Sequence, residues 1–430
     1  MVITGRPVLA MLVGVAACVV WPSWTTAVWW TAAVLLVVLV DLLLAPSPRA
    51  ITIEREPSAP VRVDEPSETS LLVTNTGRRR RRGMLRDAWQ PSAGASPNRH
   101  RFALPGGERT RLTTPLLPTR RGDLVCRRVT IRVWGPLGFA GRQLGFDSPG
   151  TLRALPAFPS RRHLPSRLAR LQQLDGRALT RTRGQGTEFD SLRDWVDGDD
   201  VRSIDWRATA RRQDVVVRTW RPERDRRIMI VLDTSRVSAG RVGSVPRLDT
   251  AMDAVQLLSA LAVRAGDRVD LLAGDREVLA AVKGVQRGDA LPRITHAMSQ
   301  LEPSLVEADW TRLAAAVSAA GRRFSLVVLL TPLEPAAVEE SLAPTLEVLA
   351  RQHRVLVASV SDDELVALRD HRDDAREVYR AAAAEDTLAR RQRVALGLQQ
   401  LGVTVLDEPP ARLPVVLADH YLALKSRGLL

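Results

Sequence analysis

The spacing of apolar and polar positions changes character twice along the chain, and each change predicts a different kind of structure. Residues Pro7 to Trp24 are apolar or small, and after the interruption Ser23-Trp24-Thr25-Thr26 the run Ala27 to Ala45 is apolar except for Thr31 and Asp41. Each run approaches the ~20 residues that cross ~30 Å of hydrocarbon, the first being somewhat short, so residues 1–48 are expected to form a two-span membrane hairpin. Trp21, Trp24, Trp29 and Trp30 gather at the connection, where an interfacial aromatic belt belongs. Arg6 precedes the first run and Arg49 follows the second, while the connection is uncharged. The positive-inside rule then places both termini in the cytoplasm at an inner or plasma membrane. Asp41, close to the end of its run, is expected to snorkel to the interface. Val15-Ala16-Ala17-Cys18 admits a lipoprotein cleavage box, but the residues after Cys18 stay apolar instead of forming a polar tether.

Over residues 49–152 the period becomes two. Ile51-Thr-Ile53-Glu, Val61-Arg-Val63-Asp, Leu71-Leu-Val73-Thr and the long run from Leu124 to Val133 alternate, with turn residues at Asn75-Thr76-Gly77, Pro105-Gly106-Gly107 and Gly135-Pro136-Leu137-Gly138. Short alternating strands with such turns predict a small all-β, sandwich-like domain. Residues 153–227 read as a basic connector, extended at first and ending in a short helix over 166–174, followed by a charged and aromatic segment. From 228 to 430 strand-like runs at Ile228–Leu232, Val269–Ala273, Val278–Val282, Leu326–Leu330, Val355–Val360 and Val403–Leu406 alternate with helical patterns such as Leu248, Ala251, Met252, Val255, Leu258 and Ala262. That alternation predicts an α/β fold with a doubly wound, mostly parallel sheet, whose ligands sit beyond the carboxyl ends of the strands.

Composition alters this picture only in places. The formal charge of +14 comes mainly from arginine, and seven arginines against Asp175 alone lie between Ser160 and Gly186. A further five consecutive arginines, Arg78 to Arg82, follow a predicted strand; they read as a solvated hairpin loop or as a loop that meets phospholipid headgroups beside the membrane. Aromatics make up only 4% of the chain, which argues against a base-stacking nucleic-acid binder. Cys18 and Cys126 cannot build a disulfide framework and read as small hydrophobes. The six histidines, His100, His163, His296, His353, His371 and His420, show neither metal-ligand spacing nor a neighbouring nucleophile, so an enzymatic reading finds no support in them.

The segment Gly184 to Arg218 interleaves acids with arginines and sets Phe189, Trp195 and Trp206 among them. Like charges are not blocked together and the aromatics are expected to need burial, so this is neither a disordered tail nor a core element. Two readings stand side by side. One is a salt-bridged clamp that fixes the connector to the sheet. The other is a partner-docking surface carried by Gly186, Glu188, Phe189, Arg193, Asp199, Arg202, Asp205, Trp206 and Arg211, since planar arginine forks and aromatics populate interface centres. Gly184-x-Gly186 lacks the strand before and the Lys-Ser/Thr after that a phosphate loop requires.

After the first strand of the sheet stands Asp233-Thr234-Ser235, whose Asp-x-Ser oxygens would suit a hard cation such as Mg²⁺. Gly184-x-Gly186-x-Glu188-Phe189, Leu192-Arg193, Gly198-Asp199-Asp200, Arg202, Ile204-Asp205-Trp206 and Ala208-Thr209-Ala210-Arg211 together resemble the signature of a bacterial membrane-protein family catalogued as domain of unknown function fifty-eight. The hairpin, the Gly135–Gly138 turn and Tyr421-Leu422-x-x-Lys425 extend the resemblance over nearly the whole chain. The resemblance implies a von Willebrand factor A-like domain after the signature and an association with MoxR-type AAA+ ATPases. It also implies a metal site built on Asp-x-Ser-x-Ser, a later Thr and a later Asp. Here Asp233 and Ser235 match, whereas Val237, Ala308 and Pro332 occupy the remaining positions, so the metal site is incomplete and no cofactor beyond Mg²⁺ is suggested. The expected function is a non-enzymatic, membrane-anchored cytoplasmic adaptor that docks such an ATPase. The alternatives are a metal-dependent binder or hydrolase acting on cell-envelope material and, less well supplied by the composition, a nucleic-acid binder.

Overall fold

The computed structural model describes residues 1–181, 188–221, 226–283, 288–321 and 324–430. The chain divides into two compact units, Met1–Leu155 and Pro156–Leu430.

The first unit opens with β1 (Val2–Ile3), α1 (Arg6–Val20) and α2 (Trp24–Leu44). Pro22 disfavours helical geometry at the residue before it, and Trp21 accordingly leaves the helix at φ −121° and ψ 86°, ending α1 after 15 residues. At 1.5 Å per residue α1 spans about 22 Å, short of the ~30 Å of hydrocarbon, whereas the 21 residues of α2 reach about 32 Å. The expectation of two spans is therefore corrected. Among the described residues, the helix beginning at Trp24 is the one long and apolar enough to cross a membrane. Ser23 caps it by accepting from the Thr25 N–H, and the Trp30 indole donates to Ala10 O at 3.0 Å, closing α1 onto α2.

The β region follows as β2 (Ile51–Arg55), β3 (Val61–Arg62), β4 (Ser67–Asn75), β5 (Arg81–Trp89), β6 (Arg99–Leu104), β7 (Arg109–Leu116), β8 (Gly122–Trp134) and β9 (Ala140–Leu155). One sheet has the order β1-β9-β8-β5-β6, with β3 also pairing β9, and a second has the order β2-β4-β7. Alternate residues of both sheets, Ile51, Leu71 and Val73 from one and Leu85, Phe102, Val129, Ile131 and Val133 from the other, fill a shared core. A buried ionic cluster lies between the two sheets as well. Asp87 accepts two bonds from Arg55, at 3.1 and 2.6 Å, one from the Trp89 indole at 2.8 Å and one from the Cys126 thiol at 3.2 Å. Burial first, then the Asp87 charge, pushes the Cys126 thiol up to about 12, so it is chemically inert.

Asp41 does not snorkel. Its carboxylate is fully buried and accepts the backbone N–H groups of Leu137, Phe139 and Ala140 at 2.8, 2.7 and 2.8 Å. A side chain at Gly135 would collide with that carboxylate, which explains the glycine that opens the Gly135-Pro136-Leu137-Gly138 turn. The turn is a socket for the end of α2, and a polar group that lipid would disfavour is satisfied by three protein amides.

The second unit begins where an extended connector was expected, and the structure corrects this. A 3₁₀ turn (Pro159–His163) leads into α3 (Leu164–Arg181), longer than the predicted short helix. Leu164, Leu168, Leu171 and Leu174 fall three or four apart, and Leu171 and Phe158 are buried in the core. The Ser160 hydroxyl donates to Asp253 at 2.7 Å and the Gln256 amide to Ala157 O at 2.9 Å, binding the stretch to the helix that carries those two residues.

There follow β10 (Glu188–Asp194), α4 (Trp206–Arg212), β11 (Val216–Arg221), β12 (Arg227–Asp233), α5 (Arg236–Ala239), the two-residue strands β13 (Arg241–Val242) and β14 (Val245–Pro246), α6 (Arg247–Arg264), β15 (Arg268–Gly274), β16 (Val278–Val282), α7 (Ala290–Ser299), α8 (Trp310–Ala320) and β17 (Leu326–Leu330). The unit continues through α9 (Pro335–Ala337), α10 (Ala343–Gln352), β18 (Val355–Val360), α11 (Asp363–Asp370), α12 (Ala375–Gln400), β19 (Thr404–Glu408) and α13 (Leu413–Ser426). Its main sheet is mixed, in the order β16-β15-β12-β17-β18-β19, parallel throughout except for the edge strand β16. The central strands are apolar at nearly every position because both faces are covered, by α6 and α13 on one side and by α8, α10 and α12 on the other. The Tyr421-Leu422-x-x-Lys425 pattern is a staple: Tyr421 donates to Asp267 at 2.6 Å and Lys425 reaches both oxygens of the same carboxylate at 3.0 and 3.1 Å, fixing α13 to the turn before β15.

Candidate functional site

The carboxyl edge of the sheet is where a ligand would be sought first. Asp233 closes β12, and Asp233, Thr234 and Ser235 are all fully buried. One Asp233 oxygen accepts the Ser235 N–H at 2.8 Å and the other accepts the hydroxyl of Thr331, just past β17, at 2.6 Å. The loop before α8 lies directly over them, with Ser304 N donating to Thr234 O at 2.8 Å and Arg236 N to Val306 O at 2.9 Å. Asp309 turns away to cap α8 through the Arg312 N–H at 2.9 Å, and Ala308 packs against the core. Burial pushes the Asp233 carboxyl upward against the hydrogen bonds from Thr331 and Ser235.

Mg²⁺ needs about six oxygen ligands and a carboxylate oxygen free to turn toward it. Here both carboxylate oxygens are engaged by the Ser235 N–H and the Thr331 hydroxyl, while the buried Thr234 and Ser235 hydroxyls have no hydrogen-bond partner among the described residues. Among the described residues no three His, Cys, Asp or Glu side chains converge as a ligand set. Sequence reasoning missed Arg391, which comes from α12 to fill the neighbouring part of this edge. Its guanidinium donates to Asp407 at 2.7 Å and to Ser359 at 3.1 Å while nearly fully buried. The signal was present: Arg391 stands on the stripe Ala384, Arg391, Val394, Leu398, an apolar face with one arginine in it.

The segment from Glu188 to Arg221 forms its own small structure. Strands β10 and β11 pair antiparallel, Ile204 bridges to Val217, and the excursion between them contains a 3₁₀ turn (Val201–Ser203) and α4. Arg193 makes a two-pronged pair with Asp199 at 2.7 and 2.5 Å, and Asp199 also accepts the Val196 N–H at 3.0 Å. Asp200 accepts the Arg202 N–H at 2.9 Å, capping the 3₁₀ turn. Asp205 caps α4 by accepting the N–H groups of Arg207 and Ala208, each at 3.0 Å, and pairs with Arg218 at 2.8 Å. The Ala208 amide and then Arg218 hold the Asp205 carboxyl below the usual carboxylate range. These charges brace the hairpin itself, since every one of these bonds is local to it.

The expectation that the aromatics need burial is corrected for Trp206, which is 66% exposed, with Val201 at 62% and Val196 at 61%. The buried members are Val216 and Val217. Trp195 is half-buried, and Arg202, Arg207 and Arg211 are exposed. Gly184 and Gly186 lie outside the described residues. Glu188 and Phe189 are placed by their strand pairing with Arg221 and Trp220, their side chains lying outside the description. The structure thus brings Arg193, Asp199, Arg202, Asp205, Trp206 and Arg211 together on one hairpin. Asp233 and Ser235 it brings together only inside a sealed edge.

The family described as "Protein of unknown function DUF58" matches residues 191–414, just over half of the chain, beginning within β10. No curated protein matches. Among solved structures, BatB from Bacteroides thetaiotaomicron is similar at 12% identity and a TM-score of 0.32, over 46% of this chain and 98% of that one. The PapD-like domain 7 of human CEP192 is similar at 16% identity and 0.19, over 25% and 90%, and the CARDB domain of PF1109 from Pyrococcus furiosus at 19% and 0.18, over 24% and 89%.

Proposed function

The chain belongs to the DUF58 family of proteins of unknown function, and from that premise we propose that it is a membrane-anchored adaptor that docks a protein partner through the Glu188–Arg221 hairpin. The observation that carries this reading is the exposure of Trp206, Val201 and Val196 on a hairpin whose acids Asp199, Asp200 and Asp205 already have partners within it. A rigid support that holds a tryptophan outward is the composition of a binding hot spot, and exposed large apolar side chains in a soluble domain mark such surfaces. The neighbouring arginines, Arg202, Arg207 and Arg211, suit an acidic partner surface. The partner we infer is a MoxR-type AAA+ ATPase in the cytoplasm, with α2 as the anchor. We also infer that the second unit is von Willebrand A-like, a reading supported by its doubly wound strand order and by the place of Asp233-x-Ser235 after β12. In this chain that edge would serve as scaffold rather than metal site, consistent with its sealed carboxylate. Co-purification of the ATPase with the full chain from detergent-solubilised membranes tests the proposal. Trp206→Ala is expected to lose the ATPase while the chain itself is recovered at wild-type levels; undiminished recovery of the ATPase would sink the reading.

A further inference from the structure

The end of the β sandwich that receives α2 concentrates positive charge that the docking hairpin does not use. Three turns, at 76–80, 105–108 and 135–139, close this end, as the registers Ile51↔Asn75, Arg81↔Leu104 and Trp134↔Gly141 require. Buried side chains fix their position against the helix. Asp41 holds the third turn. Of the five consecutive arginines Arg81 alone is buried, its Nε donating to Ser47 O at 3.1 Å, three residues beyond α2, and its guanidinium meeting Asn75 Oδ1. Asn75 in turn donates to Arg79 O, Leu104 O and Pro105 O at 3.0, 3.0 and 2.9 Å, tying the first turn to the second. With the backbone held in this way, Arg78, Arg79, Arg80 and Arg82 are exposed, as are Arg49 and Arg109. The three turns contain a single acid, Glu108.

We propose that the Arg78–Arg82 turn docks on the phosphate groups of anionic phospholipids in the membrane that α2 crosses. The proposal rests on α2 as the anchor, and it adds a lipid-selective contact to it. A guanidinium fork matches a phosphate with two parallel hydrogen bonds, and attraction to an anionic leaflet amounts to about fivefold in affinity per arginine within a Debye length of it. Arg81 is the device that makes the other four available: by binding the chain just past the helix, it keeps them at the level of the headgroups. The turn has no aromatic side chain on which bases could stack, which favours lipid over single-stranded nucleic acid.

The test uses the full chain in nanodiscs of phosphatidylcholine alone or of an equal mixture with phosphatidylglycerol, reading amide hydrogen exchange over 76–82. The expected result is exchange about tenfold slower in the anionic discs, an effect abolished by high salt. It should be absent from Arg78→Gln/Arg79→Gln/Arg80→Gln/Arg82→Gln and largely kept when the same four positions carry lysine. Since those side chains are exposed, the Gln variant should melt with the wild type, and Arg81 is left in place. Equal exchange in both kinds of disc, or a lipid effect that survives in the Gln variant, would overturn the proposal. So would protection by duplex DNA in phosphatidylcholine discs without any response to phosphatidylglycerol. Failure of the chain to enter either disc would overturn the anchor along with it, whereas entry without lipid selectivity would remove this contact and leave the anchor standing.

Discussion

Two aspartates in the second unit show opposite uses of a carboxylate. Asp205, on the hairpin, meets backbone amides and Arg218 beside solvent and is held below the ordinary carboxylate range. Asp233, at the end of β12, is enclosed by Thr331, Ser235 and the loop over the sheet, and burial drives it above that range. Charge is stabilised where the chain is exposed and suppressed where an α/β sheet commonly binds its ligand. The hairpin spends Asp199, Asp200 and Asp205 on itself and turns outward both apolar groups and the arginines Arg202, Arg207 and Arg211. The sheet edge encloses Asp233, Thr234 and Ser235 completely. A recognition surface is consequently better sought on the hairpin.

The largest expected effect is at Trp206. Replacement by alanine should weaken partner binding by at least ~30-fold, the loss typical of a tryptophan hot spot, with thermal stability unchanged because the side chain lies outside the fold. A binding titration with the purified ATPase, set beside a melting curve, reads both, and a matching drop in stability would break the distinction between the two regions. Thr331→Val comes next. It leaves one oxygen of the buried Asp233 without a donor, at a cost of about 1–3 kcal/mol in stability, visible as a lowered melting temperature, while partner binding stays as it was.

The aspartates themselves give the smaller and more telling pair. The folded-state value of Asp205 is lowered, so its contribution is present above the ordinary carboxylate value near 4 and is lost as pH falls through the folded value. Asp205→Asn should then reduce hydrogen-exchange protection of α4 at neutral pH, with the deficit closing in acid. The folded-state value of Asp233 is raised, so the fold is penalised increasingly as pH rises from about 4 to the folded value, and fully above it. Asp233→Asn should equal or exceed the wild-type melting temperature at neutral pH, the difference again closing in acid. Deficits of the same sign in both variants would end the comparison.

The apolar patterns made the layered architecture readable. Period-two runs became β2, β4 and β8, and continuous apolar runs became β12, β15, β17 and β18, because burial on one face or on two leaves those signatures directly. Where two demands shared a stretch, the reading failed. The arginines of 160–183 hid the leucine stripe of α3, and apolarity alone did not reveal that Pro22 would end α1 too early to span. Gly135-Pro136-Leu137-Gly138 was visible as a turn, but its role as a socket depends on Asp41, 94 residues before its first member, and no local pattern reports such a pairing. At the candidate site, the departures at Val237, Ala308 and Pro332 from the ligand pattern that the resemblance implies were legible one by one. The arginine in the neighbouring part of the edge was not, because Arg391 arrives from a helix far along the chain. The charges of the hairpin could be counted, but whether they faced inward to each other or outward to a partner needed coordinates.

The most direct test of docking places a photo-activatable amino acid at position 206 in the full chain, in membranes, followed by identification of the adducts. The account predicts cross-links to the MoxR-type ATPase that disappear when the same group is moved to the buried position of Val217. Cross-links confined to the chain itself or to lipid, with the ATPase still co-purifying, would contradict it.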